Sequence, residues 1–116
     1  MNIEVAIYKA LKELGMPTSL LGYAYIRDAV LMFEENPEVM RQMTRVVYPT
    51  IAAKHNTTYS KVERAIRHAI EHVYDNTDSE VIQRFFGNTV NMRSGKLTNT
   101  QFISGLLEYI KMEVMV

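Results

Sequence analysis

Cysteine is absent from the sequence, and so is any long hydrophobic run. Without cysteine the chain can form neither a disulfide framework nor a thiolate metal site, which agrees with a reducing compartment such as the bacterial cytoplasm. The longest stretch without charged or strongly polar side chains, residues 20–26, has seven residues, whereas a membrane span needs roughly 20. The early Glu4 and the lack of a basic start followed by an apolar block argue against a secretory signal. We therefore expect a cytoplasmic protein with no membrane segment.

An excess of charge of one sign is also absent, because 13 Lys and Arg balance 13 Asp and Glu. Taken alone, this balance argues against a nucleic-acid-binding protein. The charges are nevertheless segregated: residues 41–68 contain six basic residues and the single acid Glu63. Acids cluster on both sides of this stretch, namely Asp28, Glu34, Glu35, Glu38, Glu71, Asp75, Asp78 and Glu80. Such polarisation fits either a basic binding face or an ordinary mixed surface.

The length of 116 residues, with 47% hydrophobic and 22% charged residues, suits one domain with one core, which we assign to residues 1–116. Helical periodicity dominates and strand-like alternation is nearly absent. We therefore predict an all-α fold, a compact bundle of about six helices. Capping residues and helix breakers predict the first four helices. The first covers residues 3–14 with Asn2 as its cap, and the second runs from a cap at Ser19 or Thr18 to a stop at Asn36. The third covers residues 37–47, and the fourth covers residues 49–54 after Pro49.

Residues 48–75, YPTIAAKHNTTYSKVERAIRHAIEHVYD, have the pattern of two helices joined by a tight polar turn at residues 55–57. Thr58 or Thr57 can cap the second helix, predicted at about residues 58–74. Its apolar residues follow one narrow stripe, and the small Ala65 and Ala69 allow close approach to the helix before it. The opposite face is polar and mostly basic. This pattern predicts a helix-turn-helix that presents its second helix to a DNA major groove, with a solvated structural face as the alternative.

The same stretch resembles the DNA-binding effector domain of the stage-zero sporulation response regulator of spore-forming Firmicutes. NTTYSKVERAIRHAIE, residues 56–71, is similar to the family's recognition segment, GYAYIRDAV, residues 22–30, to its second helix, and YPTIAAKHN, residues 48–56, to its supporting helix. FFGNTV, residues 85–90, and LTNTQFI, residues 97–103, are similar to the family stretches FGYTV and PTNSEFI. The matches run in order over nearly the whole chain.

The resemblance implies a regulator of sporulation-type genes that binds double-stranded DNA at a TGTCGAA-like box, with adjacent copies on tandem boxes and no cofactor. It assigns base contacts to Lys61, Glu63 and Arg64. Arginine can donate two hydrogen bonds to guanine, and glutamate can accept one from cytosine. Lys61 replaces the family's usual arginine and lacks its planar fork, so a looser contact is expected there.

Contacts to the DNA backbone are expected around the start of the predicted second helix, where hydroxyls, basic side chains and the helix N-terminus can meet phosphates. The candidates are Lys54, Thr57, Thr58, Ser60 and Arg67. The resemblance also assigns a contact with the RNA polymerase sigma subunit to the surface near Phe86 and Val90. Because Phe86 and Val90 are apolar, a role in the core is the alternative.

The resemblance implies that the full regulator has two parts, a phosphorylated receiver domain and the effector domain. Residues 1–116 match the effector alone, so no receiver domain is expected in them. An excised effector and a stand-alone relative both agree with this sequence. A stand-alone relative could act without DNA, as a helical interaction module that modulates the full-length regulator, with methionines and tyrosines lining an adaptable groove.

An enzyme is not expected, although His68, Glu71 and His72 spell H-x-x-E-H, a pattern of one class of zinc peptidase. Such a site needs a third protein ligand, an open coordination position and a substrate cleft. The remaining histidine, His55, falls in the predicted turn. We therefore predict no metal site and no catalytic residue.

Overall fold

The computed structural model describes residues 2–87 and 95–113, and these residues form helices and connecting turns without any β-strand. This confirms the predicted all-α bundle. A 3₁₀ helix, Pro37–Arg41, and a π-helical turn, Met43–Val47, connect the second and third α-helices. The described residues contain six α-helices: α1 Ile3–Glu13, α2 Leu21–Glu35, α3 Tyr48–Lys54, α4 Tyr59–Asn76, α5 Ser79–Phe86 and α6 Asn99–Glu113. None of the helices in these two ranges is long and apolar enough to cross a membrane.

The starts of α1 and α2 are set in different ways, the first by a capping side chain and the second by packing against the core. The Asn2 side chain accepts a hydrogen bond from the Glu4 backbone N–H at 2.8 Å and caps α1, as predicted. For α2 the predicted cap, Ser19 or Thr18, is wrong. Leu20 occupies the cap position without a side-chain hydrogen bond and packs against the core. Apolar packing therefore sets the start of α2 and leaves Ser19 one residue too early to cap it.

The single helix predicted at residues 37–47 is also wrong, because the segment is divided at Gln42. The backbone of Gln42 leaves helical geometry, with φ −126° and ψ 40°. Val39 and Val47, one on each side of this break, are both buried, so each of the two short segments contributes to the core. Pro49 lies in the first turn of α3, where its missing N–H costs no hydrogen bond.

Helix α2 is the central element, and it packs against α1, α3, α4 and α6. It lies very close to α4 at Gly22, where an added Cβ would be 2.2 Å from the carbonyl oxygen of Ala65 and 2.9 Å from the Cβ of Ala69. Ala65 and Ala69 of α4 therefore make a close contact with α2, where glycine supplies the space that the contact requires. Their close approach to the preceding helix α3 stays a prediction.

Helices α5 and α6 complete the hydrophobic core. Thr98 and Gln101 form a capping box at the start of α6: each side chain accepts a hydrogen bond from the other's backbone N–H, at 3.1 Å and 2.9 Å. Phe86, at the end of α5, is 4% exposed and packs against Phe102 with ring centroids 5.0 Å apart. The packing alternative therefore accounts for Phe86, and its contact with a sigma subunit stays a prediction. Val90 lies outside the described residues.

Candidate nucleic-acid interface

Helices α3 and α4 form the predicted helix-turn-helix. The chain turns at Asn56, whose φ of 53° is in the left-handed region, and the Thr57 N–H donates to the Ala52 carbonyl at 2.9 Å, which closes the end of α3. Thr58 then caps α4, because its side-chain oxygen accepts a hydrogen bond from the Lys61 N–H at 3.3 Å. α4 begins one residue later and ends two residues later than the sequence predicts.

The two faces of α4 divide as the sequence predicts. The residues of the apolar stripe that are buried are Val62, Ile66, Ala69, Ile70 and Val73. The exposed residues of the other face include Ser60, Lys61, Arg64, Arg67 and His68. α4 is thus docked through one side, and a row of hydrogen-bond donors emerges from its N-terminal half toward solvent.

The three residues to which the resemblance assigns base contacts differ in their surroundings. Lys61 and Arg64 are exposed, and neither side chain forms a hydrogen bond or ion pair with any residue that the structure describes. Glu63 is only 31% exposed, and its carboxylate pairs with Arg67, one turn further along α4, at 2.5 Å. Two side chains of the set are therefore available for a ligand as they stand, and the third is already engaged.

A hydrogen-bonded network fixes the backbone of α4 at Glu63. The Asn99 side-chain amide, at the start of α6, donates to the Glu63 carbonyl at 3.2 Å and to the Tyr48 hydroxyl at 3.0 Å. Burial raises the pKa of Tyr48 above its usual value, and the hydrogen bond with Asn99 opposes that shift. The sequence does not predict this role of Asn99. The one signal for it is that Asn99 lies in LTNTQFI, a segment that matches the family.

A second network holds the turn. Asp28, on α2, is 5% exposed, and its carboxylate accepts hydrogen bonds from His55 Nε2 at 2.6 Å and from Lys54 Nζ at 3.2 Å, with Arg27 at 3.4 Å. Burial by itself would raise the pKa of Asp28, but these hydrogen bonds and positive charges outweigh it and hold the pKa below the usual aspartate value. The sequence places Asp28 among the acids that flank the basic stretch 41–68. The mostly apolar residues that surround Asp28 in the segment 22–30 are the sequence signal for its burial.

The residues predicted to contact the DNA backbone gather at the turn and the N-terminus of α4. Thr58 and Ser60 are exposed, and Thr57 is half-buried. Lys54 is 60% exposed, although its ammonium group is also paired with Asp28. The first backbone N–H groups of α4 lie in the same region and carry the positive end of the helix dipole.

The H-x-x-E-H pattern does not assemble into a metal centre in the described part of the chain, where no three metal-ligating side chains come together. His55 is engaged by Asp28. His68 is exposed and His72 half-buried on α4, and the Asn76 amide donates to the His72 carbonyl at 2.9 Å. The two histidines of the pattern therefore lie on a helix surface.

Comparison with known families agrees with this geometry. The model of the family described as "Sporulation initiation factor Spo0A C terminal" matches residues 7–110 of the 116-residue chain. The match includes α2, α3, α4 and α5 completely, together with the networks around Asp28 and Asn99. This family consists of DNA-binding regulator domains and is not a family of enzymes. The chain therefore belongs to the family of C-terminal, DNA-binding domains of the sporulation initiation factor Spo0A.

Proposed function

We propose that α4 is a recognition helix that enters the DNA major groove and reads a TGTCGAA-like box to regulate transcription of sporulation-type genes. The observation that carries the proposal is the exposure of Lys61 and Arg64 on the first two turns of a helix whose other face is buried. A groove about 12 Å wide admits a helix of this kind with its N-terminal side chains pointing at the base edges.

The base contacts that the family resemblance assigns agree with the chemistry of the three side chains. Arg64 donates two parallel hydrogen bonds to guanine O6 and N7, and Glu63 accepts one from cytosine N4. Lys61 contributes a point charge and flexible donors, so it tolerates more than one acceptor at its position. A good contact of this kind discriminates against the wrong base by about 1–3 kcal/mol.

Phosphate contacts would set the register of α4 on the duplex. Thr58 is suited to this role even as a cap, because its oxygen accepts from the Lys61 N–H and its hydroxyl proton remains able to donate to a phosphate. Ser60 and Thr57 supply further hydroxyls. Lys54 supplies an ammonium group that also stays near Asp28, so its contribution to phosphate binding is smaller than that of a fully unpaired lysine.

The proposal is tested by measuring the affinity of the protein for a duplex with the box and for the same duplex with the box scrambled, at several salt concentrations. We expect the box to bind more tightly, and affinity to fall as salt rises because bound phosphates release counterions. Arg64→Ala should lower the preference for the box by about 1–3 kcal/mol. Arg84→Ala, which removes an exposed arginine on α5, is the matched control and should leave the preference intact.

A helical interaction module that modulates the full-length regulator without DNA would give a different result. It would bind neither duplex appreciably at any salt concentration, and the proposed function would then be rejected. Equal binding to both duplexes, with strong salt dependence, would support a DNA-binding surface but contradict the sequence-specific function. Assembly on tandem boxes predicts that two adjacent boxes are occupied by two copies, which the stoichiometry of the same titration measures.

A further inference from the structure

Glu63 is held through both its backbone carbonyl and its side-chain carboxylate, in contrast to Lys61 and Arg64. Its backbone carbonyl accepts a hydrogen bond from the Asn99 amide at 3.2 Å, and its carboxylate pairs with Arg67 at 2.5 Å. In the free protein the carboxylate is therefore already paired with a guanidinium, and the backbone that carries it is held by Asn99. Arg67 keeps half of its own side chain exposed, so the pair lies at the surface that the proposed function places against DNA.

A carboxylate that approaches base edges meets an electrostatic obstacle that arginine and lysine do not. The duplex carries one negative charge for about every 1.7 Å of its axis, and a bare carboxylate in the groove is repelled by it. A guanidinium attached to that carboxylate offsets the repulsion. Water screens such an exposed pair in the free protein, and exclusion of water from the groove strengthens it.

We propose that Arg67 is a positioning residue for base recognition by Glu63, and that this is its main role in place of the phosphate contact expected from the sequence. The inference rests on the proposed function, because Glu63 must read a cytosine for Arg67 to affect that reading. The guanidinium orients one carboxylate oxygen and neutralises the group, and the second oxygen accepts a hydrogen bond from cytosine N4. Arg67 thus contributes to sequence specificity without touching a base.

The two roles of Arg67 predict different results with altered boxes. A phosphate contact carries no sequence information, so its loss weakens binding to every duplex by the same factor. A positioning role concerns only the base pair that Glu63 reads. The experiment changes each C·G pair of the box in turn to T·A and measures affinities for the wild type, Glu63→Gln, Arg67→Ala and Arg67→Lys. Circular dichroism verifies that each variant is folded.

For the wild type we expect one of these substitutions in the box to weaken binding about tenfold or more, in the range of a single good base contact. Glu63→Gln should reduce this factor, and Arg67→Ala should reduce it at the same base pair to about twofold. Arg67→Lys should restore part of the discrimination, because lysine keeps the charge at the same spacing. Combining Arg67→Ala with Glu63→Gln should cause little further loss of discrimination, since Arg67 acts through Glu63.

The matched control is Arg84→Ala, which removes an arginine of similar exposure that pairs with Glu13 at 3.1 Å between α1 and α5. It should leave the discrimination factor unchanged. The inference is overturned if Arg67→Ala weakens binding to all duplexes equally while discrimination at the Glu63 base pair stays at the wild-type level. If the wild type binds the box and its variants equally, the proposed function itself fails, a result that the wild-type titration alone reveals.

Discussion

The carboxylate of Asp28, buried in α2, accepts a 2.6 Å hydrogen bond from Nε2 of His55, which lies in the turn between α3 and α4. The partners are 27 positions apart in the chain. The contact ties the turn of the helix-turn-helix to the central helix of the bundle. Together with the hydrogen bonds of Asn99, it fixes the start of α4 from two sides. The orientation of α4 relative to the rest of the domain thus depends on two polar networks as well as on the apolar core.

Replacing Asp28 with alanine should lower the free energy of unfolding by about 2 kcal/mol, because the half-buried His55 loses its partner and the charged hydrogen bonds of the carboxylate disappear. Urea denaturation of the variant and the wild type measures the change. The control is Glu35→Ala, an exposed acid on the same helix, which should change stability by less than about 0.5 kcal/mol. Equal effects of the two substitutions would show that the Asp28 network does not stabilise the turn.

The contribution of Asp28 to stability should depend on pH in the acid range. Its pKa is lower in the folded chain than in the unfolded chain, so folding favours the ionised form. The stabilisation is therefore fully present above the usual aspartate pKa and is lost as pH falls through the lower pKa of the folded state. Unfolding free energies of the wild type and Asp28→Asn should differ at about pH 6 and converge toward about pH 2. A difference that stays constant over this interval would contradict the prediction.

Gly22→Ala should destabilise the domain by about 3 kcal/mol or more, because the new methyl group would meet the Ala65 carbonyl at 2.2 Å and both atoms belong to packed helices. The melting temperature measured by circular dichroism should fall by several degrees for each kcal/mol lost. Leu21→Ala, at the exposed neighbouring position of α2, is the control and should have little effect. A Gly22→Ala variant as stable as the wild type would mean that α2 and α4 can separate without cost.

Asn99→Ala should remove two hydrogen bonds, one to Tyr48 and one to the Glu63 carbonyl, and lower stability by about 1–2 kcal/mol. Because the Glu63 contact fixes the backbone of α4, the preference for the box should also decrease in a duplex titration. Tyr48→Phe separates the two bonds, since it removes only the hydroxyl. We expect this variant to keep the preference for the box, and an equal loss of preference in both variants would contradict a specific role for the Glu63 contact.

The sequence was sufficient to predict the fold class, the helix-turn-helix and the two faces of α4. The apolar positions of α4 repeat with the helical period, and Thr58 supplies capping chemistry that acts within one turn. These signals are local, so they predict the helix correctly even when the neighbouring elements are not known. The same reasoning was wrong at Ser19 and over residues 37–47, where packing against the core outweighs local preference.

Local pattern by itself determined that α4 is a helix with one apolar and one basic face, because period and capping involve residues only three or four positions apart. Tertiary structure alone decided that Gly22 of α2 is the close neighbour of α4, that Asp28 is a buried partner of His55, and that Asn99 supports the backbone of Glu63. These contacts join residues 27 to 47 positions apart. Such pairs are brought together only when burial of the common apolar core fixes the arrangement of all the helices.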